Sequence, residues 1–125
     1  MEKKVVFTPA APAAIGPYSQ AIAAGNMLYT SGQLGIDPQS GDLCNGVEAQ
    51  TRQALLNLSA ILQCNGMTCA DIVKTTVFVT DLKDFAAVNA VYQTFFTGDC
   101  PARSCVQVAA LPKGGLVEIE CVAVK

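Results

Sequence analysis

Histidine and tryptophan are absent from the 125-residue chain, and charged residues make up only 14% of it, against roughly 25% in an average soluble domain. Without histidine there is no Ser-His or Cys-His nucleophile pair, no His-ligated metal site and no use of the commonest general base. Any catalysis rests on other groups. The basic residues are few and scattered: Lys3, Lys4, Arg52, Lys74, Lys83, Arg103, Lys113 and Lys125. With a net charge of -2 and a pI near 4.9, there is no basic stripe to meet phosphates, so no nucleic acid partner is expected. No apolar run approaches the roughly 18 residues of a membrane span. The opening stretch MEKKVVFTPAAPAAIGPYSQ meets Pro9 and Pro12 too soon for a signal peptide. A cytoplasmic protein without membrane association is the expectation. A C-x-x-C pair is missing too. The six cysteines, Cys44, Cys64, Cys69, Cys100, Cys105 and Cys121, lack the paired knuckles of a zinc site and read as reduced, small buried hydrophobes, with no metal bound.

What the chain does have is apolar surface. Hydrophobic residues are 51% of it and the mean hydropathy is +0.37. That is too much for a lone small domain wetted on all sides, which predicts a homo-oligomer. The length fits one domain over residues 1–125.

Local patterning predicts a strand over Lys4–Phe7, an irregular Ala/Pro segment ending at Gly16-Pro17, and a hairpin. The hairpin strands, Ser19–Ala24 and Met27–Gly32, flank Gly25-Asn26, a loop suited to a type II′ turn. Gly35–Gly46 holds turn dipeptides and reads as a loop. Apolar residues at helical spacing from Val47 to Cys64, with Asn65-Gly66 as a stop, predict a first helix. Ile72–Thr80 is a β-branched strand. Asp81 then caps a second helix whose face is Phe85, Val88, Tyr92, Phe95 and Phe96, ending near Gly98. The last 25 residues read as two strands joined at Pro112-Lys113-Gly114-Gly115. If that turn sets a hairpin register, Ala109 faces Glu118 and Gln107 faces Glu120. Ser104, Val106, Val108 and Ala110 then face the helices, and Arg103, Cys105, Gln107 and the two glutamates share the other side. The order β-ββ-α-β-α-ββ predicts an α+β sandwich, one mostly antiparallel sheet with two helices on one face.

Few residues in this chain can do chemistry. Arg52 lies within the first helix and reads as solvated surface. Arg103, at the start of a strand, projects at a fixed position and suits either a small carboxylate ligand or a structural ion pair. Glu118 is open to three roles: solvated surface, a subunit bridge, or a group that orients and activates water. Cys105 has no histidine to deprotonate it, which favours contact over covalent catalysis. Tyr18 suits either core or hydroxyl donation, and Asn89 suits a site role and exposed surface equally well. In the hairpin register Arg103 and Glu118 are about 20 Å apart. One small-molecule site cannot use both within a chain, which points to a site between subunits.

The segments APAAIGPYSQ, GNMLYTSGQ, DIVKTTVFVTDLKDFAAVN and PARSCVQVAALPKGGLVEIE closely resemble the reactive intermediate deaminases, the RidA or YjgF type, over nearly the whole chain. The resemblance implies a chorismate-mutase-like α+β fold, a trimer with a central β-barrel, and active sites in the clefts between subunits. It implies hydrolysis of 2-imino and 2-enamino acids such as 2-aminoacrylate to 2-keto acids and ammonium, without cofactor or metal. Carried over by position, Arg103 binds the substrate carboxylate, Glu118 orients water, Tyr18 contributes a hydrogen bond, and Ser31, Gly32, Asn89 and Cys105 complete the binding site. The segment TGDCPARS departs from the family, being shorter and having Cys100 where an aromatic often stands, which leaves the side-chain preference open. Some relatives are named endoribonucleases or translation inhibitors. That activity, or non-catalytic binding of small 2-keto acids, is the alternative.

Overall fold

A computed structural model describes residues 2–125. Nine elements follow one another: β1 (Lys3–Val6), β2 (Ala21–Ala24), β3 (Met27–Thr30), β4 (Gln33–Leu34), α1 (Val47–Cys64), β5 (Ile72–Val79), α2 (Phe85–Tyr92), β6 (Ala102–Gln107) and β7 (Val117–Val124). The strands form one sheet in the order β1-β2-β3-β7-β5-β6, with β4 also paired to β7. All pairs are antiparallel except β5 with β6. The expected α+β class and the two helices on one face are observed.

Local signals set the well-read elements. Ala24 pairs with Met27 across Gly25-Asn26, with Gly25 at φ 60 and no positive φ at Asn26, as a type II′ turn requires. Helix α1 has the predicted ends. Beyond it Gly66 adopts φ 72, and the amides of Gly66 and Met67 donate to the carbonyls of Gln63 and Leu62, the Schellman closure that only a residue at ease with positive φ forms readily. One face of α1, Leu55, Leu58, Ile61 and Leu62, is sealed against Val77, Val79, Val117 and Ile119, all fully buried. The alternation in β7 is as expected: Val117, Ile119, Cys121 and Ala123 are buried, while Glu118 and Glu120 are half-buried on the opposite side.

Four expectations are corrected. First, β6 and β7 form no hairpin, because β5 lies between them, parallel to β6 and antiparallel to β7. Strand, helix and strand in succession favour a parallel crossover. Pro112–Gly114 is a short 3₁₀ turn in the return loop, so neither Ala109–Glu118 nor Gln107–Glu120 is a pair. Second, the faces of β6 are reversed. Arg103, Cys105 and Gln107 align with Thr75, Val77 and Val79, which are buried beneath the helices. Ser104 and Val106 are exposed. Third, α2 ends at Tyr92 and continues as a 3₁₀ turn over Gln93–Phe95. Phe85, assigned to its buried face, is 41% exposed. Fourth, Cys64 and Cys100 are exposed and only Cys121 is fully buried. The short β4 was not anticipated. Arg52 is exposed, and among the described residues no helix is long and apolar enough to cross a membrane.

Buried amides hold the irregular segments. Gln20 accepts from the Thr8 amide (2.8 Å) and donates to the carbonyls of Thr8 (3.0 Å) and Pro12 (2.8 Å), pinning the 8–20 segment to the start of β2. Asn57 on α1 donates to the carbonyls of Leu34 (3.2 Å) and Ile36 (3.0 Å). Gln50 donates to the Cys44 carbonyl and accepts from the Leu116 amide, tying two loops to one helix. Truncating Gln20 to Ala leaves buried backbone groups without partners and is expected to cost about 2–4 kcal/mol. Urea denaturation checks this: Gln20→Ala should lower the midpoint with an unchanged slope, whereas Arg52→Ala should stay within about 0.5 kcal/mol of the parent.

Candidate active site

The expected site residues fall into two groups. Tyr18, Gly32 and Glu118 line one cleft of about 400 Å³, beside β4, whose other walls include Ile15, Leu34, Ile36 and Lys113. Its carboxylate comes from β7 and its phenol from the segment that Gln20 holds. Ser31 is half-buried and braces that segment, its hydroxyl donating to the Ser19 carbonyl at 2.6 Å and its amide to the Gln20 carbonyl at 2.9 Å. At Gly32 the chain runs directly against the catalytic candidate. A Cβ there would lie 2.7 Å from the Glu118 carboxyl carbon, closer than real contacts allow, so the bare backbone leaves the carboxylate its place. Burial raises the Glu118 pKa, and the neighbouring Glu120 charge raises it further. The cleft thus holds a carboxylate poised to take up a proton more readily than a solvated one.

Arg103, Asn89 and Cys105 form the second group, under α2. The Arg103 guanidinium donates to the Asn89 side-chain oxygen at 2.7 Å. Its central carbon stands over the Tyr92 ring at 4.9 Å and the Phe85 ring at 5.5 Å. A neutral amide and two ring faces orient a guanidinium without neutralising it, so the charge and the other N–H donors stay available to an anion. This favours the anchor over the structural ion pair that the sequence left open. Asn89, for which spacing alone left exposed surface equally open, is the arginine's partner. The Tyr92 hydroxyl shares a 2.7 Å hydrogen bond with Thr75. Burial raises the Tyr92 pKa, with the Thr75 hydrogen bond and the Arg103 charge opposing. Burial also raises the Cys105 pKa against the pull of Arg103, keeping it a thiol and not a nucleophile.

The two groups do not meet within a chain. Arg103 pairs with Thr75, which pairs with Cys121, and Glu118 lies three residues before Cys121 on β7. At roughly 4.8 Å per strand and 3.4 Å per residue the backbones are about 14 Å apart, shorter than the hairpin register implied. The side chains, however, project to opposite faces of the sheet. Sequence reasoning gave Tyr92 and Phe85 to the core and Lys113 to a turn. The clue for the first two lies in their spacing about Asn89, which puts Phe85, Asn89 and Tyr92 on one stripe of α2. Among the described residues no cluster of three or more metal-ligating side chains exists.

Comparisons with known proteins bear on this arrangement. The Endoribonuclease L-PSP family matches residues 8–125. The chain is 54% identical over 125 residues to a 2-iminobutanoate/2-iminopropanoate deaminase of Salmonella typhimurium, covering 98% of both. It superposes on RidA from an Antarctic Psychrobacter species with a TM-score of 0.96 at 48% identity, covering 98% of this chain and 99% of that one. Against Escherichia coli TdcF with bound serine the TM-score is 0.95 at 48% identity, covering 98% of both chains.

The raised pKa of Glu118 has a signed consequence for stability. A carboxyl whose folded pKa exceeds its unfolded value favours the folded state below the unfolded pKa, and that contribution is lost as pH rises through the folded pKa. Glu118→Gln should therefore raise the melting temperature at pH 7 and give no gain near pH 4. Melting curves across that range check it, and a variant less stable than the parent at pH 7 would contradict the burial cause.

Proposed function

The chain belongs to the Endoribonuclease L-PSP family, of RidA/YjgF type, and on that footing we propose that it deaminates reactive 2-imino and 2-enamino acids by hydrolysis. The substrates are small: 2-aminoacrylate, 2-iminopropanoate and 2-iminobutanoate, giving 2-keto acids and ammonium. The observation that carries this is the split arrangement. An un-neutralised arginine lies on one face of the sheet and a half-buried carboxylate on the other, so a complete site needs two copies of the chain.

The reacting species is the protonated imine, which an enamine reaches by tautomerisation; Arg103 of one copy binds its carboxylate and fixes the C=N carbon. Glu118 of a neighbouring copy, within the cleft lined by Tyr18 and Gly32, holds a water against that carbon. The water adds as Glu118 takes its proton, giving a carbinolamine. Glu118 returns that proton to the nitrogen, and the C–N bond breaks as the carbinol hydroxyl gives up its own proton, which the departing ammonia takes as ammonium, leaving the keto acid. Tyr18 supplies a hydrogen bond to the water or to the developing oxygen. Asn89 steadies Arg103, Ser31 braces the Tyr18 segment and Cys105 acts by contact. Imines hydrolyse unaided, so orientation and modest proton transfer meet the chemical demand. No cofactor or metal enters the scheme.

The copies assemble as a homotrimer around a β-barrel made from the uncovered sheet faces. That face is apolar and open: Val5, Tyr29 and Val106 are 61%, 49% and 43% exposed, and the register aligns Val5, Ile22, Tyr29 and Val122 across four strands. Such a patch on a small chain calls for a partner surface. The chain acts as a single cytoplasmic domain. Ribonuclease activity, suggested by the family's name, has against it the negative net charge and the lack of histidine.

The test supplies the imine from a pyridoxal-phosphate serine or threonine dehydratase and follows keto-acid release. The parent should accelerate release. Arg103→Ala should lower kcat/KM by about 10²–10³-fold and Glu118→Gln by about 10²–10⁴-fold. Because the ionised carboxylate accepts the proton, activity should fall on the acid side with an inflection above the ordinary 4.5 of a glutamate. Mixing the two inactive variants during assembly should restore about a quarter of the sites, as random pairing in a closed ring provides. No recovery would overturn the shared site, and no acceleration by the parent would overturn the deaminase. Val106→Glu should yield monomers by sedimentation and abolish activity.

A further inference from the structure

The surroundings of Arg103 extend beyond its amide partner, and they are built with more order than a surface arginine needs. Tyr92 is held from three directions. The residue is 6% exposed, its hydroxyl shares a 2.7 Å hydrogen bond with Thr75 of β5, and Phe96 packs on its ring with centroids 4.8 Å apart at 41°. The guanidinium carbon of Arg103 stands over the Tyr92 ring at 4.9 Å. Phe85, about two turns before Tyr92 on the same stripe of α2, presents its ring at 5.5 Å and is 41% exposed. Thr75 is also the β5 residue paired with Arg103 in the sheet. The same pair of neighbouring strand positions therefore fixes both the base of the arginine and the hydroxyl of the ring beneath it.

We propose that Tyr92 and Phe85 are positioning residues for the reaction, an aromatic clamp that holds the Arg103 guanidinium where the substrate carboxylate must land. Tyr92 is the fixed wall, locked by Thr75 and Phe96, and Phe85 is the exposed one. Aromatic faces attract a guanidinium and replace part of its hydration without contributing a competing anion. An acidic partner would hold the arginine as firmly but would repel the incoming carboxylate. The clamp rests on the assignment of Arg103 as the carboxylate anchor, and its effect falls on substrate capture, because the anchored carboxylate does not change charge as water adds to the C=N carbon.

Steady-state kinetics on 2-iminobutanoate generated in situ test this, with melting temperature measured in parallel. Tyr92→Leu should raise KM about tenfold and Phe85→Leu about threefold, with kcat within about twofold of the parent. Tyr92→Phe, which keeps the ring and loses the hydroxyl, should restore most of the affinity lost in Tyr92→Leu. Val88→Ala, a buried position on the same helix, should lower the melting temperature and leave KM unchanged. If Tyr92→Leu does not fold, Phe85→Leu and Tyr92→Phe decide the matter, since one ring is on the surface and the other change preserves core volume. An unchanged KM in Phe85→Leu beside a large increase in Arg103→Ala would overturn the clamp alone. A KM increase in Val88→Ala equal to that in Phe85→Leu would reduce the clamp to general helix integrity. No effect of Arg103→Ala on KM would overturn the anchor itself, and the clamp with it.

Discussion

The insertion of β5 between β6 and β7 is the constraint on which the molecule turns. A side chain on a strand must choose one face of the sheet, and adjacent register positions share that choice. With β5 in the middle, Arg103 follows Thr75 to the helical side and Glu118 follows Phe78 to the open side. No rotamer change can bring a guanidinium and a carboxylate together through a packed sheet. The separation that bars a site within one chain also keeps the two groups of that chain from pairing with each other. A direct Arg103–Glu118 ion pair would quench both, neutralising the anchor and lowering the pKa that burial and Glu120 raise.

Around that sheet, side-chain amides hold the loops that wall the Glu118 cleft. Gln20 fixes the segment bearing Tyr18, Asn57 the backbone beside Leu34 and Ile36, and Gln50 the return loop at Leu116. Each replaces a strand ladder with two or more specific bonds to backbone groups that would otherwise be buried without partners. No buried side-chain nitrogen or oxygen lacks a partner among the described residues. Loops held in this way can form walls of fixed shape without the cost of an extra strand.

Features set by neighbours in sequence were legible, and those set by neighbours in space were not. The span of α1 follows from its apolar stripe and the Asn65-Gly66 stop. The β2–β3 turn follows from Gly25-Asn26, and the two sides of β7 from strict alternation. The face of β6 could not be read in the same way, because the more apolar side of Ala102–Gln107, with Ala102, Ser104 and Val106, is the exposed one, and Arg103, Cys105 and Gln107 face the helices. Its partner decided the matter, and a turn-like Pro112–Gly115 suggested the wrong one. The chemically useful residue types were legible from scarcity, with two arginines and four glutamates in the chain. The rings about Arg103 were hidden because an aromatic at helical spacing reads as core, and only the structure shows a face of Tyr92 turned to a cation.

The six thiols span the range from open to sealed. Cys64 and Cys100 are exposed, Cys44, Cys69 and Cys105 are intermediate, and Cys121 is buried with its pKa pushed up to about 12 by burial. Because only the thiolate reacts, alkylation is graded by depth. The outer pair labels in the native state, and Cys121, at the centre of the strand that joins β3, β4 and β5, labels only when the sheet parts. The chain thus contains its own clock for unfolding, readable by mass, in which the order of modification maps the order in which the layers open.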